Sequence, residues 1–101
     1  MSTGISAAHT QAICDILASC PRVQEVILFG SRAMGNYKPA SDIDLCLRGD
    51  DISFDDVIAL RVKLNDLPLV VDIDLLAENM IQSAPLLEHI HTKGIHIFQK
   101  K

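Results

Sequence analysis

Short apolar segments rich in β-branched residues alternate along this chain with longer segments of helical periodicity, and this alternation constrains the fold most. Strands are predicted over residues 23–29, 42–47, 69–76 and 95–98. Helices are predicted over residues 6–20, 53–65 and 78–92, with one helical turn over residues 31–34. In 101 residues this order predicts one α/β (α+β) domain over residues 1–101, with helices covering one face of a small mixed sheet.

Capping and turn residues mark the ends of these elements. Ser53 is the predicted N-cap of the second long helix, because its hydroxyl can accept a hydrogen bond from an amide of the first turn. Pro85 is expected to bend the last helix or to split it in two. Gly94 is predicted to end that helix in the left-handed conformation. Residues 35–39 are predicted to form a loop by their turn chemistry.

The composition is that of a soluble globular protein without a broad nucleic-acid footprint. The formal net charge is −4, so direct nucleic-acid binding is not expected. No apolar run approaches the roughly 20 residues that cross a bilayer. Residues 1–10 lack the pattern of a signal peptide, so a cytoplasmic location without membrane association is expected. Cys14, Cys20 and Cys46 lack zinc-site or redox-pair spacing and are interpreted as reduced, mostly buried thiols.

Two acidic pairs lie inside apolar strand segments. Asp42 and Asp44 are two residues apart, so their carboxylates emerge on one face of the strand. Asp72 and Asp74 repeat this spacing on another predicted strand. Because like charges repel and burial adds to the cost, a hard divalent cation is the expected counter-charge. Three carboxylates suit a site with two Mg²⁺ ions that flank an in-line phosphoryl displacement.

A strand end at Gly30-Ser31 complements the acids. Glycine permits a sharp turn and a close approach by a ligand, while the following amides and the Ser31 hydroxyl can bind phosphate oxygens. Each feature alone has an ordinary explanation: a Gly-Ser turn, a solvated strand face, or charges at Asp72 and Asp74 that protect a sheet edge. Their combination, with the fixed spacing from Ser31 to Asp42, favours a catalytic site.

The histidines and Tyr37 give weaker indications of function than the acids do. His9, His89, His91 and His96 form no ligand-like cluster with the acids in the sequence, so positions on the surface or at helix ends are predicted. Tyr37 lies in the loop between the motif halves, where either stacking on a base or an ordinary exposed position is compatible with its chemistry.

Residues 29–45 resemble the signature of the DNA polymerase β-type nucleotidyltransferase superfamily, and they are close to its minimal branch, the MNT proteins. The Gly-Ser at residues 30–31 is followed, after ten residues, by the Asp-Ile-Asp of residues 42–44. Residues 71–73 resemble the strand of the family that carries a third carboxylate, and residues 86–98 resemble the usual ending of the branch. The resemblance implies a nucleotidyltransferase fold similar to the polymerase β palm.

The resemblance also implies roles for individual residues. By position it assigns Gly30, Ser31 and Arg32 to the nucleotide, and Asp42, Asp44 and Asp72 to catalysis and to two Mg²⁺ ions. Asp74 remains the alternative to Asp72 as the third carboxylate. Met34 stands where many relatives carry an arginine, so phosphate contacts by a cationic side chain are expected from Arg32 or Lys38 instead.

The chemistry implied by the resemblance is transfer of AMP from ATP to a hydroxyl, with release of pyrophosphate. The minimal branch resembles the antitoxin half of HEPN–MNT toxin–antitoxin pairs, which implies a HEPN toxin as partner in a hetero-oligomer and one of its tyrosines as acceptor. Two alternatives stay open: a small hydroxylated acceptor, as aminoglycoside nucleotidyltransferases use, and a catalytically silent antitoxin that acts by binding alone. The lack of an acceptor domain disfavours the small-molecule enzyme. The intact set of acids disfavours the silent antitoxin, because a pure binder has no need for clustered carboxylates that repel one another.

Overall fold

A computed structural model describes residues 3–100. Within that range the α-helices are α1 (Ala7–Ala18), α2 (Ser31–Met34), α3 (Phe54–Asn65) and α4 (Ala84–Lys93). The strands are β1 (Glu25–Phe29), β2 (Ile43–Arg48), β3 (Ile73–Ala77) and β4 (Ile95–Gln99), and a 3₁₀ turn covers Glu78–Met80. Every predicted helix and strand is present, with shifts at the ends. No helix in this range combines the length and apolar character needed to span a bilayer.

The strands form one mixed sheet in the order β3-β2-β1-β4. β1 lies antiparallel to both β2 and β4, whereas β2 and β3 run parallel. Parallel neighbours need a long crossover connection, and α3 supplies it between β2 and β3. The predicted α/β class with a small mixed sheet is therefore confirmed, and β1 and β2 are its central strands.

Different helices cover the two faces of the sheet. One face packs against α1 and α3 in the larger core, whose fully buried members include Leu17, Leu28, Leu45 and Leu64. On the opposite face, Ile90 of α4 packs against Ile27, Phe29 and Cys46. The expectation that the helices cover only one face is therefore wrong for α4. The reason is that β1 is apolar on both faces, so both need burial.

Two element boundaries differ from the prediction for identifiable reasons. β3 begins at Ile73 rather than at residue 69, because its pairing with β2 starts where Ile43 meets Ile73. Val70, ahead of the strand, is fully exposed. Pro85 lies in the first turn of α4, where its missing N–H costs no helical bond. The predicted last helix is therefore split into the 3₁₀ turn and α4.

The predicted start of α3 and the state of the cysteines are confirmed. The Ser53 hydroxyl accepts a hydrogen bond from the Asp56 amide at 3.1 Å, and the Ser53 amide donates to the Asp56 carboxylate at 3.0 Å. The guanidinium of Arg22 also bonds to Asp56 and holds the pKa of that carboxyl well below its usual range. All three cysteines are free and buried.

Gly94 ends α4 through its small size rather than through a left-handed conformation. Its φ of −67° is one that any residue adopts, so the predicted left-handed cap is wrong. A Cβ at this position would overlap the Ile90 carbonyl oxygen and the Ile27 side chain. The absence of a side chain therefore lets the end of α4 close onto β1.

Gly94→Ala is expected to lower the free energy of unfolding by about 1–3 kcal/mol, because an added methyl group must push α4 away from β1. Urea denaturation followed by circular dichroism measures the change. Lys93→Ala, at the exposed neighbouring position, is the control and should stay within about 0.5 kcal/mol of the wild type. Equal stability of Gly94→Ala and the wild type would contradict the packing argument.

Candidate active site

The central acidic residues lie where β2 begins, between β1 and β3. Asp44 is the second residue of β2, and its register partners are Phe29 on β1 and Asp74 on β3. Asp42 directly precedes the strand and is exposed, whereas Asp44 is half-buried. Because partners in register present their side chains on the same face, Asp44 and Asp74 project side by side on the face that α4 partly covers.

Burial and like charges both act on Asp44. Desolvation raises the pKa of this carboxyl, and the neighbouring charges of Asp74 and Asp42 raise it further. A carboxylate destabilised in this way gains stability from any cation that approaches it. The electrostatics therefore indicate a site for a positively charged ligand at the start of β2.

The Gly30-Ser31 turn lies directly against the Asp44 carboxylate. Gly30 has a φ of +76°, a conformation that L side chains rarely adopt. A Cβ at Gly30 would overlap Oδ2 of Asp44. The two halves of the sequence motif therefore meet in space, as predicted, and glycine is required there for both its conformation and its size. Ser31 begins α2 at the open side of this turn and is partly exposed.

His89 also belongs to this site, which the sequence analysis missed. The Gly30 amide donates a hydrogen bond to Nε2 of His89 at 3.0 Å. The imidazole ring also meets the Phe29 ring edge-on, with centroids 6.2 Å apart. These partners are about 60 residues away from His89 along the chain, so no local pattern could have revealed the contact.

Arg32 is buried, with only 4% of its surface exposed. Its Nε and Nη2 donate to the Ser41 carbonyl oxygen at 3.1 and 2.8 Å, and Nη1 donates to the Thr3 carbonyl oxygen at 2.9 Å. The guanidinium also lies 5.0 Å from the centre of the Tyr37 ring. These bonds to backbone carbonyl oxygens give Arg32 a structural role, and the phosphate contact expected of it from the sequence stays a prediction. Met34 and Lys38 are exposed.

The two candidates for the third carboxylate differ in their relation to Asp44. Asp74 pairs with Asp44 in register, and its charge is the strongest charged influence on Asp44. Asp72 precedes β3 and is exposed, and its carbonyl oxygen accepts a hydrogen bond from the Ile43 amide at 2.9 Å. Asp72 therefore contributes a backbone contact to the sheet, while Asp74 contributes its charge to the site.

The donor set fits a divalent cation in its chemistry. Asp42, Asp44 and Asp74 offer carboxylate oxygens from two adjacent strands, which is the donor type that Mg²⁺ prefers. Within residues 3–100, no three Asp, Glu, His or Cys side chains form a cluster able to hold a metal ion as they stand. Side-chain rotations would therefore have to accompany cation binding.

Comparison with known families identifies the same motif region. The family model described as "Polymerase beta, Nucleotidyltransferase" matches residues 11–101, which include the turn and all the acids described above. The Methanocaldococcus jannaschii protein named "Putative protein adenylyltransferase MJ0604" is 51% identical over 43 residues. That match covers 43% of this chain and 42% of the relative, so the chain matches less than half of the relative's length.

Solved toxin–antitoxin structures have a similar fold. A chain of a crystal structure described as a toxin–antitoxin with AMP-PNP is 26% identical, has a TM-score of 0.76, and matches over 91% of this chain and 74% of that one. A chain from a complex of a tri-AMPylated Shewanella oneidensis HEPN toxin with an MNT antitoxin is 24% identical, with a TM-score of 0.71 and coverage of 92% and 71%. The second likeness is one of fold alone.

Arg32→Lys is expected to lower the free energy of unfolding by about 2 kcal/mol, because lysine cannot reproduce the forked bonds to the loop carbonyls. Thermal and urea unfolding measure this loss. Lys38→Ala, which removes an exposed cation from the same loop, should leave stability within about 0.5 kcal/mol. Unchanged stability of Arg32→Lys together with weakened ATP binding would instead support the phosphate role expected from the sequence.

Proposed function

Because the chain belongs to the polymerase β-type nucleotidyltransferase family, we propose that it transfers AMP from ATP to a hydroxyl group of another protein. The observation that carries this proposal is the contact between Gly30 and the Asp44 carboxylate. It joins a turn suited to phosphate oxygens with an acidic group suited to a cation. A metal-bound triphosphate requires both features side by side.

Two Mg²⁺ ions are the proposed cofactors, with Asp42, Asp44 and Asp74 as the residues that would hold them. When bound, the ions would neutralise the triphosphate and activate the attacking hydroxyl. Asp74 replaces Asp72, the third carboxylate expected from the sequence, because Asp74 is the register partner of Asp44. The raised pKa of Asp44 supports a cation here, since a nearby positive charge stabilises the ionised carboxylate.

The chain's own residues bind and orient the reactants in this proposal. The turn after Gly30 receives a phosphate group, and the Ser31 hydroxyl donates a hydrogen bond to it. The acceptor oxygen forms a bond to the α-phosphorus while the bond from that phosphorus to the bridging oxygen breaks, and pyrophosphate leaves. The acceptor's proton passes to a carboxylate, for which Asp74 is the best placed because 55% of its side chain is exposed beside Asp44.

The proposed acceptor is a tyrosine of a HEPN toxin, with this chain as its antitoxin. The toxin–antitoxin structures of similar fold support this role, and so does an apolar groove of about 260 Å³ between α3 and β3. Phe54, Ile58 and Met80 line the groove with 66%, 44% and 40% of their surfaces exposed. Arg61 lines it as well, and its guanidinium lies 3.5 Å from the Asp74 carboxylate. Arg61 therefore connects this groove to the Asp74 carboxylate.

Asp44→Asn and Asp74→Asn are each expected to reduce AMP transfer about 100-fold or more, because metal stabilisation of the transition state amounts to several kcal/mol. Transfer of label from α-³²P-ATP to the co-expressed toxin measures the rate, and removal of Mg²⁺ with EDTA should abolish it. Asp72→Asn is the matched control and should retain activity within about threefold. A larger loss from Asp72→Asn than from Asp74→Asn would return the third position to Asp72.

Phe54→Asp is expected to weaken toxin binding at least tenfold, because it places a charge in the apolar groove while an acid remains favourable in the first turn of a helix. Ala7→Asp introduces the same acid at the corresponding first position of α1 and should leave binding unchanged. Calorimetry with purified toxin measures both affinities. Equal affinities of the two variants would exclude the groove from the interface.

The Asp44→Asn variant tests the alternative role. If it still neutralised the toxin, inhibition by binding alone would be favoured over AMP transfer.

A further inference from the structure

The amide of Gly30 lies just beyond the paired region of β1. The last register pair of β1 with β2 is Phe29 with Asp44, and the last pair with β4 is Leu28 with Ile95. The acceptor for the Gly30 amide is instead the imidazole of His89, at 3.0 Å from Nε2. A side chain of α4 thus extends the hydrogen bonding of β1 by one residue, to the turn that carries the phosphate-binding groups of the proposed function.

This hydrogen bond defines the tautomer of His89. The backbone N–H can only donate, so Nε2 of the imidazole must be unprotonated and accept. In the neutral ring the proton is then carried by Nδ1. The contact is therefore directional, and it sets the orientation of the peptide between Phe29 and Gly30 as well as its position.

The imidazole is restrained by a ring contact and by the packing of the helix that carries it. The Phe29 ring packs against it edge-on, and the next residue, Ile90, is 1% exposed in the core between α4 and the sheet. At the start of α4 the Ser83 hydroxyl accepts the Leu86 amide at 3.3 Å. A ring anchored in this way can restrain a flexible glycine, whereas a mobile surface side chain could not.

The orientation of the Gly30 peptide has two consequences for the site. It sets the direction in which α2 and the Ser31 hydroxyl leave the strand. It also keeps the Cα of Gly30 against Oδ2 of Asp44, where any rotation of the turn would change the distance between the phosphate-binding and carboxylate groups. Glycine without a restraint samples many conformations, so holding this one in advance lowers the entropy lost when a nucleotide binds.

We propose that His89 is a positioning residue that holds the Gly30-Ser31 turn in the conformation that receives the triphosphate of the nucleotide. The identity of the ligand, a nucleoside triphosphate, rests on the proposed function. The hydrogen bond between Gly30 and His89 belongs to the free protein and does not depend on that function. His89 acts through the Gly30 amide and needs no contact with the reacting atoms. Its loss should therefore affect nucleotide binding more than the chemical step.

His89→Ala is expected to raise KM for ATP about five- to tenfold, as the loss of one directional hydrogen bond predicts, with kcat within about twofold. His89→Gln should restore KM to within about twofold of the wild type, because the glutamine amide oxygen can reach the place of Nε2. His91→Ala, two residues away on the exposed surface, is the control and should leave both constants unchanged. A KM unaffected by His89→Ala, or equal losses in both His89 variants, would overturn the positioning role.

Amide hydrogen exchange of Gly30, measured by NMR on the free protein, separates this inference from the proposed function. His89→Ala should accelerate exchange at Gly30 about tenfold or more, while His89→Gln and His91→Ala preserve its protection. Unchanged protection in His89→Ala would refute the hydrogen bond even if AMP transfer were demonstrated. Lost protection with no nucleotide transfer by the wild type would overturn the proposed function while the structural restraint on the turn stands.

Discussion

The antiparallel pairing of β1 with β2 is the constraint on which the rest of the site depends. It sets Phe29 opposite Asp44, so the next residue, Gly30, reaches the carboxylate directly. The parallel pairing of β2 with β3 then brings Asp74 to the other side of Asp44. Two ladders of backbone hydrogen bonds thus bring three separated segments of the chain to one end of the sheet, and a shift of one residue in either would turn the acids to the opposite face.

The clustered acids destabilise this end of the sheet by electrostatic repulsion and desolvation. Asp44 is half-buried, and desolvation raises its pKa together with the like charges of Asp74 and Asp42. Arg61 offsets part of this repulsion through its contact with Asp74, although both side chains are about half exposed and the pair is weak. Such an arrangement is expected where function rather than stability has selected the residues, and it agrees with the family to which the chain belongs.

The loop between the motif halves is held in place by a buried arginine. Buried Arg32 bonds to the Ser41 and Thr3 carbonyl oxygens and therefore ties the loop and the segment before α1 to α2. On the other side of the turn, His89 holds the Gly30 amide. One buried cation and one imidazole thus support the two halves of the motif.

The sequence by itself determined the alternation of helices and strands, the Ser53 cap and the motif of Gly30, Ser31 and the Asp42/Asp44 pair, because these depend on local propensity, periodicity and spacing. It could not rank Asp72 and Asp74, since both lie on one face of the predicted strand and only the register with β2 shows that Asp74 pairs with Asp44. Nor could it place Arg32 in the interior, α4 on the second face or His89 at the turn. Each of these depends on contacts between distant segments, which form only when the sheet has assembled.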